Sequence, residues 1–113
     1  MRTLNEYFLY GKIVDVSTAG QIYIAVPDKG KIVKVFTALN GAIGGGDADI
    51  TIKTAGGTAG VITIAISGSG VGVVDTLIPT TNNDVIEGGV IEIETDGVST
   101  NTVSVEICIV VRR

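Results

Sequence analysis

Apolar and polar residues alternate along most of this chain in short runs bounded by Gly, Asn, Asp or Pro. β-Branched residues dominate these runs, and both features predict strands rather than helices. Eight strands are expected: Tyr7–Val16 (interrupted by Gly11), Gln21–Val26, Lys31–Leu39, Asp49–Thr54, Val61–Ile66, Val71–Ile78, Val90–Thr95 and Thr102–Val111. Val85-Ile86 would add a short bridge. Pro27-Asp28-Lys29-Gly30 has proline for the first corner of a tight turn and glycine for a left-handed position. Gly-rich stretches separate the middle strands, and Asp96-Gly97 turns the chain towards the last one. No window of eleven or more residues carries a capped apolar stripe of helical period, so helix content should be near zero.

Period-2 alternation assigns faces. Ile50 and Ile52 oppose Asp49, Thr51 and Lys53; Ile91 and Ile93 oppose Glu92 and Glu94. In the last strand Val103, Val105, Ile107, Ile109 and Val111 share one face, and Ser104, Glu106, Cys108 and Val110 the other. One buried and one wetter face per strand is what a two-sheet antiparallel sandwich requires. The expected fold class is therefore all-β: an antiparallel β-sandwich of jelly-roll or related Greek-key topology with about eight strands. The pairing order stays open. Residues 11–113 would form a single sandwich domain, with residues 1–10 either an N-terminal arm or an edge strand. Two strands are apolar on both faces. Val33, Val35 and Leu39 oppose Ile32, Phe36 and Ala38, and Ile62, Ile64 and Ile66 oppose Val61 and Ala65. In a small sandwich a partner is what would cover the outer set.

Composition narrows the function. At 113 residues there is room for one ordinary domain. Gly stands at 16, about twice the usual ~7% share, and aromatics make up only 4% with no Trp. Histidine is absent, and with it the commonest general base. The formal net charge is −4, with no basic stripe to neutralise phosphates, so no nucleic-acid partner is expected. The apolar stretches are too often interrupted by glycine for a membrane span. The first residues lack the apolar core and cleavage site of a signal peptide, so the chain is expected to be made in a cytosol and remain soluble.

Candidate chemistry is sparse. Glu92, Glu94 and Asp96 share a strand face and carry the oxygens that Ca²⁺ takes, but same-face neighbours stand about 6.6–6.8 Å apart, too far to converge on one ion. Asp47 and Asp49 flank a Gly-rich loop with the same weakness. The single cysteine, Cys108, excludes an intramolecular disulfide and has no His to activate it. No serine sits in a Gly-x-Ser-x-Gly elbow, and Gly41–Gly46 lacks the Lys and helix of a phosphate loop. No catalytic, cofactor-binding or metal residues are expected, and no enzymatic activity. Three of the five aromatics (Tyr7, Phe8, Tyr10) fall in the first ten residues, so Leu4, Tyr7 and Phe8 could dock an arm onto a neighbour.

The run Gly30-Lys31-Ile32-Val33-Lys34-Val35, the run Ala48-Asp49-Ile50-Thr51-Ile52-Lys53, and the closing Gly88-Gly89-Val90-Ile91-Glu92-Ile93-Glu94-Thr95-Asp96-Gly97 before a final apolar strand resemble small virion proteins of tailed bacteriophages. Capsid decoration (cement) proteins are the nearest in texture, over about residues 11–111. The resemblance implies a jelly-roll or related sandwich on the capsid exterior of a virion, made in the host cytoplasm. Its partner would be the phage major capsid protein, whose shell it stabilises against internal DNA pressure, often as a homo-trimer. It implies no cofactor and no catalytic residues. Leu4, Tyr7, Phe8, Tyr10, Ile32 and Phe36 are the expected partner contacts. The alternative is a carbohydrate- or receptor-binding domain of a phage head or tail fibre, which exposed tyrosines bordering a groove would favour.

Overall fold

The computed structural model describes residues 5–113, and among them there is no helix. The described residues form nine strands: β1 (Glu6–Ile13), β2 (Gly20–Ala25), β3 (Gly30–Leu39), β4 (Ala48–Thr54), β5 (Gly57–Ile64), β6 (Val74–Leu77), β7 (Asp84–Val85), β8 (Val90–Thr95) and β9 (Val105–Arg112). They form two antiparallel sheets. Sheet I runs β1-β9-β3-β6, with β7 pairing the start of β3, and sheet II runs β2-β8-β4-β5. The pairs are nested: β1 with β9, β2 with β8, β3 with β6, β4 with β5. β9 then bonds to β3 and β8 to β4, which splits the nest into two layers. The result is an antiparallel β-sandwich of the jelly-roll or related Greek-key class.

The core lies between the layers and is almost wholly aliphatic. Alternation holds: Ile50 and Ile52 of β4, Ile91 and Ile93 of β8, and Val105, Ile107, Ile109 and Val111 of β9 all have no exposed surface. Each such side chain contributes roughly 1.5–3 kcal/mol relative to exposure. Glycine closes both sides of the sandwich. A Cβ on Gly11 of β1 would stand 2.8 Å from the methyls of Ile22 and Ile24 of β2, and one on Gly60 of β5 would stand 2.7 Å from Leu77 of β6. The two sheets approach each other at these two places.

Strand ends depart from the sequence expectation for local reasons. β1 stops at Ile13 because the Asp15 carboxylate accepts hydrogen bonds from the Ser17 amide (2.8 Å) and the Thr18 hydroxyl (3.1 Å), folding the chain into an Asx turn. The Ser17 hydroxyl also donates to this carboxylate at 2.5 Å, and that bond, then the one from the Ser17 amide, holds the Asp15 carboxyl below its ordinary pKa. β5 begins at Gly57 instead of Val61, running through a bulge where Ala59 has no partner on β4. β6 is short because residues 70–73 form a turn closed by Val73 N–H donating to Gly70 O at 3.3 Å, while Gly72 N–H donates to Leu39 O of β3 at 2.8 Å.

Among the described residues, the buried hydroxyls of Thr37, Thr95 and Ser99 lack a hydrogen-bond partner, and Thr37 lies deepest in the aliphatic core. Thr37 is 1% exposed on the core face of β3, and its hydroxyl finds no hydrogen-bond partner among the described residues. Thr37→Val keeps the shape and removes the unpaired hydroxyl, so it should raise stability by about 1–2 kcal/mol, read as a higher urea midpoint. A lower midpoint would mean that the hydroxyl is satisfied in solution.

Candidate interaction face

The outer faces of the two sheets differ in chemistry. Across sheet I the outward rows read Phe8–Val110–Lys34, then Tyr10–Cys108–Phe36–Thr76, then Lys12–Glu106–Ala38–Val74. Phe8 is 69% exposed, Tyr10 64%, Val74 57% and Ile78, just beyond β6, 64%. Across sheet II the rows read Gln21–Glu94–Thr51–Val61 and Tyr23–Glu92–Lys53–Thr58. Lys53 and Glu94 form an ion pair at 3.2 Å there. Sheet II exposes Tyr23 (62%) and Val61 (45%) on separate strands among acids, Lys53 and threonines; sheet I brings Phe8, Tyr10 and Phe36 together beside Val74 and Ile78, the kind of grouping that marks an interaction site.

A bulge in β3 shapes this face. Ile32 lies opposite Val111, and Lys34 opposite Val110, so Val33 is an extra residue with no partner on β9. The extra residue reverses the alternation. Ile32 therefore points into the core and has no exposed surface, and the expectation that it shares the outer face with Phe36 does not hold. Val33 is left half-buried at the surface instead. A trace of the bulge is in the sequence: Lys31 and Lys34 are both exposed though three residues apart, an odd spacing that strict alternation forbids.

The other expected contact residues fall as follows. Phe8, Tyr10 and Phe36 come together on the outer face of sheet I. Tyr7 is turned inward and half-buried against the core; its hydroxyl donates to the Asp28 carbonyl, and the Arg113 guanidinium lies 5.0 Å from its ring centre. Tyr7 thus ties β1 to the β2–β3 turn, and burial raises its pKa. Residues 6–10 form the first part of edge strand β1, and Leu4 lies outside the described residues. Sequence reasoning did not single out Lys34, Val74, Ile78, Cys108 and Val110 for this face, although alternation had already put Cys108 and Val110 opposite the core.

A polar cluster borders the apolar patch. The Tyr10 hydroxyl donates to Glu106 Oε1, Asn40 Nδ2 donates to Glu106 Oε2 at 2.7 Å, and Lys12 Nζ stands 3.7 Å from the same oxygen. The hydrogen bond from Tyr10, then that from Asn40, holds the Glu106 carboxyl below its ordinary value, and the same bond raises the Tyr10 phenol. A depressed carboxyl contributes stability above its unfolded pKa and loses it as pH falls through the folded one. Tyr10→Phe should therefore move the Glu106 titration upward, followed by carboxyl NMR, and its stability deficit relative to the parent should shrink in acid. An unmoved Glu106 titration would show that the bond is not formed in solution.

Several of the acidic candidates are engaged by neighbours. Glu94 is engaged by Lys53, Asp49 accepts from the Thr63 hydroxyl at 2.8 Å, and Asp47 accepts from the Ile66 amide at 2.9 Å. Among the described residues no group of three or more His, Cys, Asp or Glu side chains is placed to hold a metal ion.

No protein-family model matches this chain, and no curated protein matches it. Solved structures do. A chain of the acid-stable capsid structure of Helicobacter pylori bacteriophage KHP30 superposes with a TM-score of 0.63 at 12% identity, over 96% of this chain and 87% of that one. A chain of the cyanophage Pam1 capsid asymmetric unit superposes with a TM-score of 0.59 at 16% identity, over 96% of this chain and 84% of that one. At such identities the likeness establishes the shared fold.

Proposed function

We propose that this chain is a non-enzymatic structural protein of a phage virion, a decoration or cement protein that binds the outside of the capsid and stabilises it. Its winding is read as a jelly roll. The observation that carries the reading is the grouping of Phe8, Tyr10, Phe36, Val74 and Ile78 on the outer face of sheet I, held on a fold whose likenesses include chains of two phage capsid structures. Those chains are covered to 87% and 84%, so the likeness is to whole small chains of about this length. Exposed Phe8, Tyr10, Val74 and Ile78 on a rigid sheet suit an interface that works by burying area, and a standard interface takes ~800 Å² per partner. The fibre-domain alternative wants paired stacking platforms, whereas exposed Tyr10 and Tyr23 stand on opposite sheets.

The test is to add the purified chain to capsids from particles that lack it. Co-sedimentation in saturating, stoichiometric amounts is expected, with a higher temperature for DNA release. Particles whose heat resistance is indifferent to the chain would overturn the reading.

A further inference from the structure

The bulge leaves a trough on sheet I. A depression of about 420 Å³, walled by Phe8 and Ile78 over Val110, meets a second of about 480 Å³, floored by Val85 and Ile86, and the two share Val33 and Arg112. Val33 reaches this junction because the bulge leaves it unpaired. Charge is concentrated here too. Lys29, Lys31, Lys34, Arg112 and Arg113 line the trough, five of the eight Lys and Arg residues of a chain whose net charge is −4. Three are engaged: Lys31 with Asp84 at 3.1 Å, Arg112 with Glu6 at 2.6 Å and Arg113 with Asp28 at 2.7 Å. Among the described residues, Lys29 and Lys34 make no ion pair.

We infer that this trough binds an extended segment of a partner protein that carries apolar anchor residues flanked by carboxylates. Gly30 to Phe36 spans about 20 Å of strand, the length of roughly six extended residues. The apolar floor takes the anchors, and Lys34 towards one end and Lys29 at the other take acidic side chains. Asp84 and Glu6 within the lining disfavour a continuous run of phosphates, which sets this site apart from a nucleic-acid groove. The inference deepens the proposed function by giving the chemistry of the segment that the outer face of sheet I grips.

The test needs no capsid. The ¹⁵N-labelled full chain is titrated with a synthetic peptide of alternating Leu and Glu, with the same peptide carrying Gln for Glu, and with oligothymidylate. Shifts confined to residues 29–36, 84–86 and 110–113 are expected with the Glu peptide. Affinity should be at least tenfold weaker for the Gln peptide and for the Lys29→Glu/Lys34→Glu double variant, and unchanged for Thr58→Glu on sheet II. Equal binding of the Gln peptide, tighter binding of the oligonucleotide, or shifts on sheet II would overturn it. Failure of this titration leaves capsid co-sedimentation to decide the virion role, and loss of co-sedimentation with peptide binding intact sinks the capsid reading alone.

Discussion

Ile109→Ala is expected to lower the unfolding free energy by about 3–5 kcal/mol, from a total of roughly 5–15 kcal/mol for a domain of this size. Ile109 has no exposed surface and lies on β9, a strand hydrogen-bonded on both sides, opposite Leu9 of β1 and Val35 of β3. Two flanking ladders keep the backbone from collapsing into the space left by the missing atoms. The cost should therefore sit towards the upper end of the range for such truncations. Cys108→Ala, one residue earlier and half-buried on the outer face, should cost no more than about 1 kcal/mol. Urea unfolding followed by far-ultraviolet circular dichroism reads both. Equal losses would mean that β9 does not present alternate residues to core and surface.

The largest functional effect is expected from Phe8→Asp/Phe36→Asp. Phe8 is exposed and Phe36 half-buried on the outer face of sheet I, so the double change should cost about 1–3 kcal/mol and leave the domain folded, which far-ultraviolet circular dichroism checks. At the centre of a desolvated interface each aromatic is worth about 2–4 kcal/mol, and the carboxylates add an unpaired charge. Together these predict a loss of capsid affinity of about a thousandfold or more, at ~1.4 kcal/mol per tenfold. Tyr23→Asp, an equally exposed ring on sheet II, should bind as the parent does. Reversed behaviour of the two variants would move the interface to the opposite sheet.

Much of the sandwich is legible in the sequence because alternation is a local signal. The isoleucines of β4, β8 and β9 could be assigned to the core from their neighbours alone, and the structure buries all of them. Pairing order is not local. That β1 joins β9 across almost the whole chain depends on which surfaces fit once both layers exist. The outer face was legible in part: Phe8, Tyr10 and Phe36, expected as contacts, lie on it, whereas Tyr7, expected beside them, turns inward. Ile32 does not, because one extra residue at Val33 exchanges inside for outside on the N-terminal side of the bulge, and only the odd spacing of Lys31 and Lys34 hints at it. Charge added at Ile32 would therefore break the core instead of testing an interface. The trough was illegible for a related reason. Its cations come from the β2–β3 turn, from mid-β3 and from the end of β9, and only the folded register brings these together.

The central claim, that this chain acts by laying the outer face of sheet I against a capsid, is tested most directly by an electron cryomicroscopy reconstruction of the particle that carries it. The expected map has regularly repeated copies of the sandwich on the exterior, with Phe8, Phe36 and Ile78 against the shell and the Glu92–Lys53 rows facing solvent. A particle with no ordered copies, or copies seated through sheet II, would contradict it.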